Sequence, residues 1–495
     1  ADSRLSIVRP CSALSHPAPP RRGPTEKLAA LTARRIEADI ISRGWPIGEV
    51  VGSEQDLQER YGVSRSALRE AVRLVEHHQV ARMRRGPNGG LVVSAPDAGP
   101  ATRALVIYLE YIGLSIENLM RARLLLEPLA VELTIRNLRE EGIDRMRALL
   151  DAEAAHRDEE TVSLDALHVL LGELSGNPAL HLFIDVTTRL TARYGHSLRR
   201  IPREKSARTR EISRARHAAV VDAILGGQPG SATAEMTAHL DEVTAWFVEN
   251  DARGARRPGH RPTADGSTAE PAAKLAEVVA ARIRDEVVRR RWPVGQVLGS
   301  ENDLVARYGT SRAVLREAVR LLELDSVARM RRGPGGGLVV AEPLPDASIE
   351  AMALYLDYRE VTAEDLRVVR DAIELGTIDE VILRRDDPEV AARLQEAIAR
   401  GHEPTDAGAA GSDRFHIELA HLSGNPVLEL FLRILSELWL RHTTGVRKRE
   451  PGPDAVDGVK HIHGRILDAL LEGDTGVARH RMRRHLAALT AWYHE

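Results

Sequence analysis

Residues 52–71 read Gly52-Ser53-Glu54-Gln55-Asp56-Leu57-Gln58-Glu59-Arg60-Tyr61-Gly62-Val63-Ser64-Arg65-Ser66-Ala67-Leu68-Arg69-Glu70-Ala71. Ser53 followed by Asp56 has the spacing of a capping box, so a short helix should open there and stop near Tyr61-Gly62. After a tight turn, Ser64 caps a second helix. In that helix Leu68, Ala71, Val72 and Val75 recur at helical spacing, while Arg65, Arg69 and Arg73 form a separate stripe four residues apart. The pattern predicts an apolar back and a basic face. Helix, short turn and basic helix is the geometry that places a recognition helix in the DNA major groove, where arginine can bond a guanine edge with two hydrogen bonds.

Moving outward, Val80 to Arg84 and Leu91 to Val93 read as two short strands around Arg85-Gly86-Pro87-Asn88-Gly89-Gly90. This is a winged hairpin whose tip combines arginine with glycine. Arg84 and Arg85 can neutralise phosphate charge, and Gly86 lets the backbone approach a groove closely. One arginine stripe alone is explained equally well as a solvated helix face. A capped turn before it and an Arg/Gly hairpin after it favour nucleic acid.

The same text occurs twice. Residues 35–96 realign onto 282–343 without a gap, 247 positions apart, with 39 of 62 positions identical. In the second copy Ser311 is the cap, and Leu315, Ala318, Val319 and Leu322 form the apolar back. Arg312, Arg316 and Arg320 line the outside, and the wing reads Arg331-Arg332-Gly333-Pro334-Gly335-Gly336-Gly337. Thr244-Ala245-Trp246-Phe247 returns as Thr490-Ala491-Trp492-Tyr493. Two copies of this length are too few and too long for a solenoid. They read as two subunits of a symmetric dimer fused into one pseudo-dimeric chain, with further association between chains left open.

The remaining composition sets limits. A hydrophobic content of 43%, charged content of 28% and net charge of -3 over 495 residues describe an ordinary globular protein. Any polyanion site must therefore be local. The single cysteine, Cys11, excludes a disulfide framework and a thiolate zinc site, which fits a reducing cytoplasm. No run of 18 apolar residues occurs and residues 1–24 lack a signal-peptide core, so we expect a cytoplasmic protein with no membrane partner. The expected organisation is a disordered segment 1–26, a winged-helix domain 27–96, a helical effector domain 101–250 and a linker 251–273. A second winged helix at 274–343 and a second effector domain at 346–495 complete it. Short hinges carry Pro96, Gly99 and Pro100 in the first half and Pro343 and Pro345 in the second. The predicted fold class is mainly α: two winged helix-turn-helix domains with small β-hairpin wings and two all-helical bundles.

The segments Gly52 to Ala71 and Gly299 to Ala318 resemble the winged-helix signature of the GntR family of bacterial transcription regulators. The resemblance implies that Arg65, Arg69, Arg312 and Arg316 contact DNA, assisted by the wing arginines and glycines. The chain departs from the family at Gln55 and Asn302, where an arginine often contacts DNA.

Each helical module carries three histidines: His168, His217 and His239, separated by 49 and 22 residues, and His416, His463 and His485, separated by 47 and 22. Leu174-Ser175-Gly176-Asn177-Pro178 and Leu422-Ser423-Gly424-Asn425-Pro426 follow the first histidine of each set. Three histidines on three helices can converge in a bundle core, and imidazole suits a divalent transition metal such as zinc or nickel. A metal-free pocket of hydrogen-bonded histidines is the plain alternative. These modules resemble FCD domains, the effector type of the FadR branch of that family. The resemblance implies a fourth ligand, an aspartate four residues before the first histidine. Those positions hold Leu164 and Ser412, whereas Asp165 and Asp413 stand three before and are the candidates. Arg123 with Glu127, and Arg370 with Glu374, match the family's Arg-x-x-aliphatic-Glu motif. A helical ion pair explains both, and an inward-facing arginine would instead clamp an effector carboxylate.

The expected function is a sequence-specific regulator, a repressor by default, on a pseudo-palindromic operator of double-stranded DNA. A carboxylate metabolite would control it through up to one metal per effector domain. A metal-dependent enzyme is disfavoured because no HExxH helix and no evident general base accompany the histidines. A non-specific architectural DNA binder would instead show steep salt dependence and little sequence preference.

Overall fold

The computed structural model describes residues 24–84, 86, 89–155, 165–197, 203–252, 271–331, 333, 335–343, 345–400, 413–444 and 453–494. Among them no helix is long and apolar enough to cross a membrane. The chain divides into two compact units, Ala1–Ala95 and Pro96–Glu495.

The first unit is one winged helix: α1 (Pro24–Ser42), β1 (Val50–Gly52), α2 (Glu54–Tyr61), α3 (Arg65–His77), β2 (Ala81–Arg84) and β3 (Gly90–Val93). α1 starts at Pro24, inside the segment 1–26 expected to be unstructured, because proline's missing N–H costs nothing in a first turn. The two expected wing strands pair antiparallel with Arg84 opposite Gly90, and β1 adds a third strand beside β3. Gly90 has φ +150°, and a Cβ there would meet the Gly52 carbonyl oxygen at 2.6 Å, so only glycine lets β3 approach β1. The core joins Ile36 and Ile40 of α1 to Leu57, Leu68, Ala71, Val75 and Leu91, all buried.

The second unit opens with the first effector domain: α4 (Ala98–Tyr111), α5 (Ile116–Asn137), α6 (Glu140–Ala155), α7 (Ala166–Leu174), α8 (Pro178–Ser197), α9 (Arg203–Leu225) and α10 (Pro229–Ala252). The second winged helix follows as α11 (Pro271–Arg289), α12 (Glu301–Tyr308), α13 (Arg312–Leu324), β4 (Ala328–Arg331) and β5 (Gly337–Val340). Here a single bridge, Val297 to Val339, stands where the first copy has β1. The second effector domain comprises α14 (Asp346–Tyr358), α15 (Ala363–Val381), a 3-10 turn at Ile382–Arg384, α16 (Pro388–Arg400), α17 (Asp413–Leu422), α18 (Pro426–Thr444), α19 (Pro453–Glu472) and α20 (Thr475–His494). α4 begins inside the expected hinge, with Asp97 capping it by accepting from the Gly99 N–H. α10 and α11 extend into the expected linker 251–273, whose residues 253–270 lie outside the described ones.

The repeated Ser-Gly-Asn-Pro tetrads build one corner in each bundle. Gly176 and Gly424 both have φ +71°, ending α7 and α17 in the left-handed region. Asn177 Oδ1 accepts from the Leu180 N–H at 3.0 Å, capping α8, and Pro178 supplies the first helical residue. The amide of the same asparagine crosses to the other half: Asn177 Nδ2 donates to the Asp365 carbonyl (2.9 Å), and Asn425 Nδ2 donates to the Asn118 carbonyl (3.0 Å). Phe183 and Phe431 stack with ring centroids 4.0 Å apart and an interplanar angle of 2°. Reciprocal bonds flanking a self-stacked pair are what an isologous two-fold interface produces, here within one chain.

This interface is tight at Gly376, where an added Cβ would collide with the Leu125 side chain. The corresponding residue of the first half is Leu129. Gly376→Leu brings in a better helix former yet overpacks the contact, so we expect a net loss of about 1–3 kcal/mol. An unchanged denaturation midpoint would show that the two bundles do not press together here.

The second winged helix also docks on the first effector domain. Ile107 joins its core, and Tyr111 meets Trp292 edge-on with ring centroids 5.6 Å apart. The Tyr111 hydroxyl donates to Glu342.

Candidate DNA interface and histidine centres

The recognition helices follow from local chemistry. Ser53 and Asp56 form the full capping box on α2, as do Ser300 and Asp303 on α12. Gly62 and Gly309 then take the left-handed C-cap at φ 65° and 61°. Ser64 and Ser311 cap α3 and α13 by accepting the N–H groups of Ala67 and Val314. Leu68, Ala71, Val72 and Val75 are buried, as are Leu315, Ala318, Val319 and Leu322.

Arg65, Arg69 and Arg73, with Arg312, Arg316 and Arg320, are exposed on the opposite faces. Glu54 accepts from both Arg65 (3.1 Å) and Arg69 (2.8 Å), and these hydrogen bonds hold its carboxyl below the usual carboxylate range. In the second copy Arg316 pairs with Glu301, and Arg312 donates to the Asn302 side chain at 3.0 Å. Exposed pairs of this kind are worth at most about 1 kcal/mol, so DNA can displace them. In the wings Arg84 and Arg331 are exposed at strand ends, and Gly86 and Gly333 turn the chain at φ 108° and 100°. Arg85 and Arg332 lie outside the described residues.

Both histidine sets converge. In each triad one ligand atom per ring lies within 4.8 Å of the other two, and all six residues are buried. His168 Nδ1 meets Glu127 Oε2, and the other oxygen of that carboxylate accepts from Arg123 Nε. The second half repeats this relay through His416, Glu374 and Arg370. Burial alone would raise the Glu127 carboxyl, but Arg123 and His168 bring it down to about 2; His416 and Arg370 do the same for Glu374. Both arginines are thus engaged with buried carboxylates rather than standing as simple surface ion pairs. Desolvation lowers His217, and lowers His239 to about 2 and His485 to about 3. These imidazoles are neutral at pH 7, the form that ligates metal.

The first triad leaves His217 Nε2 and His239 Nδ1 buried without a hydrogen-bond partner. Such orphans are costly unless a ligand takes them up. In the second triad Nε2 of His485 lies 2.9 Å from that of His463 and 3.2 Å from that of His416. Nitrogens around a tetrahedral ion stand about 3.3 Å apart, so little movement would admit one. The donor sets fit a divalent transition ion.

Asp165 does not join the first cluster. α7 begins at Ala166, which leaves Asp165 at the N-cap, ahead of the helix that carries His168. The side chain of Asp413 lies outside the described residues. Sequence reasoning missed Glu153, whose carboxylate holds His217 Nδ1 at 3.0 and 3.1 Å. Its one signal was a place seven residues after Met146 on the buried face of α6.

Two family models match the chain, each twice. Bacterial regulatory proteins of the gntR family match residues 28–90 and 275–338, and the FCD domain matches 118–242 and 365–488. The Exu regulon transcriptional regulator of Escherichia coli (strain K12) is 26% identical over 220 residues, 43% of this chain and 82% of that protein. The HTH-type transcriptional repressor NanR of Citrobacter rodentium (strain ICC168) is 24% identical over 230 residues, 44% of this chain and 85% of that protein. A solved structure of Streptococcus agalactiae GntR aligns with 22% identity and a TM-score of 0.32, covering 44% of this chain and 99% of that one. Each of these curated relatives aligns over most of its own length with less than half of this chain.

Proposed function

Because the chain belongs to the gntR family of bacterial regulatory proteins and carries both its DNA-binding and its FCD domain twice, we propose that it is a covalent pseudo-dimer that represses transcription from a pseudo-palindromic operator. The family is one of transcription regulators, not of enzymes. The observation that carries the reading is the pair of exposed arginine faces on two capped recognition helices, joined to bundles that pack about a pseudo-two-fold. Ser64, Arg65, Arg69, Arg73, Arg84, Arg85 and Gly86 would meet one half-site. Ser311, Arg312, Arg316, Arg320, Arg331, Arg332 and Gly333 would meet the other. A cytoplasmic protein, on the nucleoid when bound, follows from that role.

His168, His217 and His239 would hold one divalent ion, zinc or nickel, and His416, His463 and His485 a second. A bound ion supplies an electrophilic anchor for a carboxylate effector. Arg123 and Arg370 would strengthen the field felt by an acid, acting through Glu127 and Glu374. An effector regulates only as far as it binds one arrangement of the heads better than another. The docking of Ile107 and Tyr111 against the second head supports α4 as one such lever, since Glu110 of that helix also pairs with Arg193 of α8.

The test is twofold. Operator fragments selected from a random pool should share two related half-sites; enrichment of no sequence sinks the regulator reading. Elemental analysis of untagged protein, reconstituted with excess zinc or nickel, should find about two metals per chain, lost when His217 and His463 are both replaced by Ala. No metal after reconstitution would leave the histidines as a polar core and redirect the effector search to larger, more apolar molecules.

A further inference from the structure

The two bundles meet along one row of each long helix, and the two rows are complementary rather than alike. On α5 the row is Arg121, Leu125, Leu129 and Leu133; on α15 it is Val368, Ala372, Gly376 and Glu380. Residues four apart in this way lie along one helix face. Arg121 Nη1 donates to Glu380, and Leu125 lies close enough to Gly376 to collide with an added Cβ. These two contacts set an antiparallel register. Its next steps bring Leu129 opposite Ala372 and Leu133 opposite Val368, so both central leucines come from the first half and both small residues from the second.

The rows occupy equivalent places, 247 positions apart, so each half can be set against a copy of itself. Two first halves would oppose Leu125 to Leu129 twice, and Arg121 to Leu133 twice. Two second halves would oppose Ala372 to Gly376 and Val368 to Glu380. The first arrangement is overpacked at its centre and the second is hollow there, and a close-packed interior tolerates neither. Both also set a charge against an aliphatic side chain. The Arg121–Glu380 pair is partly exposed and adds little, so side-chain size carries the selectivity. Phe183 and Phe431, identical and stacked on each other, distinguish no combination.

Resting on the pseudo-dimer reading, we propose that this bundle face is a sorting surface: each half accepts the other half and refuses a second copy of itself. Specificity is a difference between affinities, and here it comes as much from the clash and the void built into the like pairs as from the contacts of the unlike one. Fusion through a short linker adds an effective concentration of order mM, so the unlike half engaged is the one on the same chain. Association of two chains through like bundle faces is thereby blocked, which ordinary duplicated subunits with identical faces could not achieve.

Three variants of the full-length chain test this by thermal melting. Ala372→Leu with Gly376→Leu gives the second half the large row, and Leu125→Ala with Leu129→Gly gives the first half the small one. Each double variant should melt roughly 3–20 °C below the parent, since each spoils two contacts in a domain of this size. All four changes together exchange the rows and should bring melting back to within a few degrees of the parent, a recovery that independent sites cannot give. Helix propensity cancels in that variant, because one glycine leaves and one enters. A four-fold variant that falls by the sum of the two double variants, or fails to fold, would overturn the sorting. Double variants both as stable as the parent would overturn the bundle packing on which it rests, whereas the operator selection reads the regulator function separately.

Discussion

Replacing Arg69 and Arg316 together by Ala should weaken specific operator binding by roughly 30-fold to 25,000-fold. Each arginine stands on the exposed face of a recognition helix whose back is locked into the domain core. A bidentate arginine–guanine contact is worth about 1–3 kcal/mol of discrimination, and a fused chain commits one such residue to each half-site. Energies at well-separated positions add, so the pair together removes about 2–6 kcal/mol. The cost of freeing the arginines is small, because Glu54 and Glu301 hold them in exposed pairs worth at most about 1 kcal/mol. Affinity for random duplex should fall much less, and the salt dependence should change little, since phosphate contacts would remain with the wing and with Arg73 and Arg320. Operator affinity unchanged in the double variant would remove α3 and α13 from the role of reading helices. Equal losses on operator and random DNA would make them phosphate binders.

That expectation could be framed from sequence because everything it needs is local. Ser53 with Asp56, Gly62 and Ser64 fix two helix ends by bonds spanning three or four residues, and the arginine stripe follows from helical periodicity. The three-histidine sets were legible for a similar reason, since their spacing recurs in two copies. What stayed hidden depends on which helices meet. Glu153 reaches His217 across 64 residues, and nothing near either residue announces the pairing. Asn177 caps α8 by a local bond, but its second bond, to Asp365, exists only because the halves pack about a pseudo-two-fold. Phe183 gave no sign that its partner would be its own repeat, Phe431. An exchange between the heads was equally silent. Buried His78 bonds Glu37 in the first, whereas the corresponding positions of the second hold Asp325 and Arg284, an attraction with its polarity reversed. Asp165, expected on the helix face that carries His168, stands instead at the N-cap, one residue before α7 begins.

Arg123 and Glu127 show most clearly how one spacing supports two meanings. An (i, i+4) pair on a solvated face contributes a few tenths of a kcal/mol, and the sequence alone allows that value. In the fold both side chains are only 2% exposed, and Glu127 also holds His168. Glu127→Ala therefore strands a guanidinium in the core, and removing one partner of a buried pair costs about 3–5 kcal/mol. For a domain of this size that corresponds to a melting temperature roughly 6–20 °C lower. Replacing both members by apolar residues of similar volume, Arg123→Met with Glu127→Leu, should restore most of the lost stability, because a well-packed apolar pair is often no worse than the ion pair it replaces. It should not restore the histidine. With no carboxylate on its Nδ1, His168 loses the bond that orients Nε2 toward His217 and His239, so metal affinity at the first centre should stay about 10–100-fold below that of the parent. Stability and metal binding, which fall together in the single variant, should thus separate in the double one. If the double variant recovers both, Glu127 is there to neutralise Arg123 and its contact with His168 is incidental. A single variant as stable as the parent would mean that Arg123 is not buried as a charge at all.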